Sequence, residues 1–208
     1  MISRQVRFAS IGFIMALFMA AVPARVDAAG PGADAEQFIS SLADEAIKAL
    51  TQPDSTPETR SQRFRVLLKE NFDVKTIARW VLGRYWKKAS KVEQAEYLKL
   101  FEELLIVTYV DRFSKYSGEH LKVSKSSPSG ERDFVVFSRI VRLESTAPLN
   151  VDWRVRKKST GFKIIDVMVE GVSMGQTQRS EFASVIRQNG GKVEGLLVEL
   201  RKRVSKDA

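Results

Sequence analysis

From residue 34 onward, apolar positions recur first with a helical and then with a strand period. Phe38, Ile39, Leu42, Ala43, Ala46, Ile47 and Leu50 fall three and four apart, the single stripe of an amphipathic helix that Asp34 is placed to cap. The linker TQPDSTPE breaks it. Thr56-Pro57 then supplies the N-cap and first helical residue of a second helix, continued by Phe64, Leu67, Leu68 and Phe72. Asp73 caps a third, which carries Ile77, Trp80, Val81 and Tyr85. The longest helical pattern runs from Ser90 to Tyr116 and opens with the S-x-x-E spacing of a capping box, Ser90 and Glu93. At 100° per residue Lys99, Glu102 and Glu103 share one strip, but from Leu104 to Val110 only Thr108 is polar. That run turns through nearly two circles, so apolar surroundings are required on every side. It is also far too short to span a bilayer.

Past Gly118 the period changes from 3.6 to 2. His120 to Lys125, Asp133 to Glu144, Asn150 to Lys158 and Phe162 to Val169 read as strands, separated by SSPSG, STAPL and STG. Short connections favour antiparallel pairing. Val151, Trp153 and Val155 alternate with Asp152, Arg154 and Arg156, so one side of the sheet is wet. The second strand has two apolar faces, Val135, Phe137, Val141 and Leu143 on one and Phe134, Val136 and Ile140 on the other, which predicts a central position. Phe182, Val185 and Ile186, then Gly190-Gly191, then Val193, Leu196, Leu197, Leu200 and Val204 describe two closing helices. The expected fold class is α+β, a helical layer packed on a curved antiparallel four- to five-stranded sheet.

The N-terminus changes the picture by giving an address. Arg4 and Arg7 precede the low-polarity run Phe8 to Val22, and Val26-Asp27-Ala28 follows with the small residues of a cleavage site. This order is that of a secretory signal peptide over residues 1–28. A membrane anchor would need about 20 apolar residues. Residues 29–208 are then expected to form one domain, long enough for a sizeable core. The chain carries a formal +9; the leader holds three arginines against one aspartate, leaving +7. Export argues against nucleic acid as the partner of this charge and leaves anionic lipid, an acidic protein or plain solubility. With no cysteine, disulfides and thiolate chemistry are excluded.

Candidate chemistry is sparse. His120 is the only histidine, so neither a histidine metal site nor a serine triad of the usual kind can be assembled. The glycines lack the spacing and the lysine of a phosphate loop. Asp166, inside the apolar strand FKIIDVMV, and Glu170 at its end could act as an acid–base pair on a lipid or isoprenoid. The favoured alternative is that Asp166 accepts structural hydrogen bonds at a sheet edge or pairs with an arginine. The surplus of apolar residues points to a cavity between helix and sheet, the usual form of a small-molecule site. A carrier of anionic amphiphiles fits such a cavity. One acyl chain of some fifteen methylenes, at about 0.8 kcal/mol each, is worth roughly 12 kcal/mol of burial, which the carrier must match. An interaction module without ligand is the remaining reading, and a cavity-free interior would favour it.

Three blocks carry a family resemblance: FDVKTIARWVLGRYWKKAS (Phe72 to Ser90), FEELLIVTYVDRFSKYSGE (Phe101 to Glu119) and FKIIDVMVEGVSMGQTQRSEFASVIRQNGG (Phe162 to Gly191). The sequence resembles the toluene-tolerance or MlaC-type family of periplasmic phospholipid-binding proteins of the Mla lipid-transport system, over essentially the whole mature chain. The resemblance implies a deep acyl-chain cavity, bound phospholipid as cargo, no cofactor, no metal and no catalytic residue. It also implies shuttling between an inner-membrane ABC transporter with an MCE-domain subunit and an outer-membrane lipoprotein–porin complex, as a monomer. Gln178 departs from the aromatic residue of many relatives. A hopanoid-associated branch is close, and Ser117 to Glu119 suits both, whereas Gly171-Val172-Ser173 suits the phospholipid branch. The expected cavity walls are Trp80, Tyr85, Phe101, Leu104, Leu105 and Tyr109 from the helices, with Phe137, Val151, Trp153, Val155, Ile165 and Val167 from the sheet.

Overall fold

The computed structural model describes residues 30–53, 55–114, 116–142 and 147–206. The candidate leader, residues 1–28, lies outside the described residues, as do Leu143 and Glu144. Six helices and five strands follow in the order α1 (Pro31–Leu50), α2 (Pro57–Asn71), α3 (Val74–Leu82), a 3₁₀ turn (Gly83–Lys87), α4 (Lys91–Ser114), β1 (His120–Pro128), β2 (Asp133–Val141), β3 (Leu149–Lys158), β4 (Gly161–Val169), β5 (Val172–Ser173), α5 (Met174–Gln188) and α6 (Val193–Lys206). The α+β expectation holds, with the helices packed on an open, wholly antiparallel sheet in the order β1-β2-β3-β4-β5.

Local chemistry sets most element ends. The Thr56 hydroxyl accepts from Thr59 N at 3.2 Å ahead of Pro57, and Asp73 caps α3 through Thr76 N at 3.2 Å. The Ser90–Glu93 box closes in both directions, at 3.2 and 2.7 Å. Two expectations are corrected. Asp34 does not cap α1, which starts earlier at Pro31 behind Gly30 and keeps Asp34 in its first turn; the proline's fixed φ begins the helix without a side-chain cap. The third helix does not reach Tyr85: Gly83, at φ 58, ends it, and Tyr85 lies in the 3₁₀ turn. The two-residue strand β5 escapes a period-2 reading because it is too short to alternate.

The interior divides into two apolar clusters. In one, α1 and α2 cover the sheet: Ala35, Ile39, Leu42, Leu50 and Leu67 meet Phe134, Val136, Val155 and Ile164. The other is helical, built by α3, α4, α5 and α6 around Tyr97, Phe101, Leu104, Phe182, Ile186 and Leu197. Helix α4 stands between them. Tyr97, Phe101 and Leu104 belong to the helical cluster, whereas Ile106, nine residues past Tyr97 and therefore on the opposite side at 100° per residue, is also buried, as is Val110. The same side carries Glu102 and Glu103, which hold Arg65 of α2 at 2.8 Å each. The run is thus buried on two opposite sides, at the helical cluster and at Ile106 and Val110, while Thr108 stays exposed.

Candidate functional site

Register decides which side chains share the inner face of the sheet. Phe134, Val136 and Ser138 on β2 stand opposite Val155, Trp153 and Val151 on β3, and Val151, Trp153 and Val155 stand opposite Val169, Val167 and Ile164 on β4. Four of the expected wall residues, Val151, Trp153, Val155 and Val167, therefore come together. Val155 and Ile164 are sealed beneath α1 and α2. Trp153 is not: it sits at the middle of the middle strand, on the helix-covered face, and is only partly buried. A third set, Leu68 of α2, Ile106 and Val110 of α4 and Val151 of β3, is buried yet belongs to neither cluster; this set is the seam between α2, α4 and the sheet in chain terms, and Trp153 and Val167 pack against the cluster beneath α1 and α2.

The polar atoms of this wall are internally satisfied. Trp153 Nε1–H donates to Ser138 Oγ at 3.0 Å, and the Ser138 hydroxyl donates to the carbonyl of Val151. Ser138 is 2% exposed. A buried indole N–H with no partner would cost free energy; this relay removes the cost, and the ring packs against the cluster beneath α1 and α2.

The other expected wall residues are spread over α3, the 3₁₀ turn, α4, β2 and β4. Phe101 and Leu104 are core of the helical cluster, Tyr85 is buried with them, and Leu105 packs against them. Tyr109 is half-buried toward the end of α4. Phe137 is on the opposite face of the sheet from Trp153, paired with Asp152, under the ammonium of Lys125 at 5.4 Å. Ile165 is the extra residue of a bulge, since Arg154 faces Asp166 and Val155 faces Ile164. Trp80 is 40% exposed and covers Gly175, where an added Cβ would come within 2.4 Å of its ring. Ser138, Ile106 and Val110, which are buried, were not among the expected wall residues. Strand parity carried a signal for the face error, because Arg139 shares Phe137's parity and marks that face as wet, and one step of parity moves every side chain to the other face.

The Asp166 block is a structural clip. Asp166 accepts from Ser173 Oγ at 2.6 Å and from Gly175 N at 3.1 Å, while Ser173 Oγ accepts from Gln176 N at 3.0 Å and so caps α5. Glu170 and Gly171, at φ 48 and 76, form a two-residue hairpin with both residues left-handed. The Glu170 carboxylate is held below its ordinary value chiefly by the backbone N–H of Asn150, at 2.7 Å, and by that side chain's amide. Both carboxylates of the candidate acid–base pair have their oxygens committed, Asp166 to β5 and α5 and Glu170 to Asn150 of β3. Gln178 donates to Glu181 at 2.9 Å.

Two clefts open on the described surface. One, of about 570 Å³, is lined by Lys69, Phe72, Asp73, Lys75, Lys158 and Lys163 among others; the second, of about 550 Å³, lies against Phe137, Asp152 and Glu170 on the sheet's outer face. In the first, Lys158 pairs with Asp73 at 2.8 Å and Lys69 with Glu102 at 3.1 Å. No described helix is long and apolar enough to cross a membrane.

A family model, "MlaC protein", matches residues 40–202. The chain belongs to the MlaC family. This MlaC-family chain is 25% identical over 128 residues to the intermembrane phospholipid transport system binding protein MlaC of Haemophilus influenzae, covering 60% of its own length and 59% of that relative. The aligned part thus spans less than two thirds of the relative. A phospholipid-binding protein from Ralstonia solanacearum, solved in complex with a phospholipid, shares the fold: TM-score 0.76 at 24% identity, over 84% of this chain and 98% of that one.

Proposed function

We propose that this protein is a periplasmic phospholipid carrier, the soluble component of an ABC-type lipid-transport system that moves glycerophospholipid between outer and inner membranes. The acyl tails occupy the seam against Trp153, Val151 and Val167 and the α4 side that carries Ile106 and Val110, with the headgroup toward solvent. One observation carries the assignment of the site: Trp153, at the centre of the central strand on the helix-covered face, is left partly uncovered, although burying a side chain of that size is worth several kcal/mol at about 25 cal/mol per Å². The phospholipid-related names of the family relative and of the fold relative supply the ligand class. The Trp153–Ser138–Val151 relay supports the reading, since it leaves the wall no free polar hydrogen to be desolvated by a lipid tail. Catalysis has no part in it, Asp166 and Glu170 being spent on structure.

The test is mass spectrometry of protein isolated gently from the periplasm. Phospholipid is expected in near-stoichiometric amount, and Trp153→Arg, if folded by circular dichroism, is expected to lose it. Lipid-free wild-type protein, or undiminished lipid in Trp153→Arg, refutes the site.

A further inference from the structure

The surface made by the end of α3 and the 3₁₀ turn is not accounted for by cargo binding. Residues 74 to 92 contain Lys75, Arg79, Arg84, Lys87, Lys88 and Lys91 and not one Asp or Glu. Four arginines elsewhere, Arg65, Arg156, Arg201 and Arg203, each hold carboxylates. Here the cations lie on aromatic rings. The Arg79 guanidinium stands 5.1 Å from the Trp86 ring centre, Arg84 is 5.1 Å and Lys88 5.7 Å from Tyr85, and Arg179 of α5 is 5.6 Å from Trp80 while donating to the Trp80 carbonyl at 3.0 Å. Gly83 keeps this layer close, since a Cβ there would come within 3.0 Å of the Arg179 guanidinium. Among the described residues none of Arg79, Arg84, Lys87, Lys88, Arg179 and Arg187 enters an ion pair. The Tyr85 hydroxyl reads the resulting field: it is held below its ordinary value, first by the hydrogen bond from Arg84 and further by the charges of Arg84, Arg187 and Lys88.

We propose that this cationic, tryptophan-bearing surface docks the protein onto an anionic phospholipid bilayer. An acidic protein would also meet the charge, but the aromatic content selects the bilayer. Trp80 is 40% exposed and Trp86 partly so, and an indole with one apolar and one polar edge is suited to the headgroup level. Neither of the two clefts is lined by Trp80, Arg84, Trp86, Lys87 or Lys88. Each lysine or arginine held near an anionic leaflet contributes about fivefold in affinity. The proposal goes beyond the cargo reading and does not rest on it.

Sedimentation with vesicles separates the two, because extraction of a lipid leaves the carrier in the supernatant whereas docking pellets it. The purified protein is expected to pellet with phosphatidylcholine vesicles containing phosphatidylglycerol, and not with phosphatidylcholine alone. Lys87→Gln with Lys88→Gln is expected to weaken the binding about 25-fold. The control pair Lys122→Gln with Arg139→Gln removes the same charge from exposed, mutually facing positions on β1 and β2 and is expected to change it less than about twofold. Equal binding to both vesicles, equal loss in both double variants, or no pelleting at all overturns the proposal; the last result would leave an acidic protein as the surface's partner.

Discussion

Replacing Ser138 by alanine removes one oxygen from a site that is 2% exposed, and its consequence depends on what fills the seam. The hydroxyl is the acceptor for Trp153 Nε1–H at 3.0 Å and the donor to the Val151 carbonyl. Without it the indole N–H is left buried, and such an orphaned group costs about 1–3 kcal/mol. In a domain of this size each kcal/mol lowers Tm by about 2–4 °C, so a fall of about 2–12 °C is expected. Trp153→Phe removes the donor at the same time as the need for it, so the double variant recovers part of the loss. A double-mutant cycle by urea unfolding should give a coupling of about 1–2 kcal/mol. The cycle should be run on lipid-loaded and on delipidated protein. Water admitted to an empty seam can accept from the indole, whereas a lipid tail cannot, so the coupling is expected to be larger in the loaded form. Additive single effects in both forms would show that the relay does not seal the wall; equal coupling in both would show that lipid does not reach Trp153.

Leu104→Ala, deep in the helical cluster, is expected to cost about 2–5 kcal/mol and to leave the lipid-to-protein ratio unchanged; lipid loss in a folded variant would move the cavity to that side of α4. Asp166→Asn is expected to keep cargo binding while weakening the clip to Ser173 and Gly175, seen as a lower unfolding midpoint; lost lipid at unchanged stability would contradict a structural role. Ser173→Ala removes both the α5 cap and a donor to Asp166, for about 1–2 kcal/mol, measured by the same unfolding. Asp133 is held by Arg156 through two bonds of 2.7 Å, which depress its pKa below 3.8. A depressed carboxylate stabilises the fold above its unfolded value and loses that contribution as the pH falls through the folded one, so Asp133→Asn should flatten the acid limb of stability below about pH 4; an unchanged limb would refute it.

Legibility in the sequence followed physical range. Caps, the capping box, the 3.6 and 2 periods and the antiparallel meander are local properties, and Thr56, Asp73 and Ser90 act where their spacing predicted. Apolarity on all sides of residues 104–110 was legible too, together with the demand for apolar neighbours. What surrounds them was not. That Leu104 joins the helical cluster while Ile106 does not depends on α5 and α6, which lie far later in the chain. Phe137 shows the same limit at a strand: β2 is apolar on both faces apart from Arg139, and it is the packing of Phe134 and Val136 beneath α1 and α2 that shows which face the helices cover.

By itself, then, the sequence determined the elements, the antiparallel order, the poverty of catalytic groups and, through the family likeness, the expected ligand. The tertiary structure decided which apolar residues enter which cluster, turned Asp166 from a candidate acid into a clip, and gathered cations from α3, the 3₁₀ turn and α5 onto one aromatic surface. The reason is that helix and strand periods are set by neighbours a few residues apart, whereas a side chain's burial, its hydrogen-bond partner and the charge around it are set by whatever distant segment packs against it.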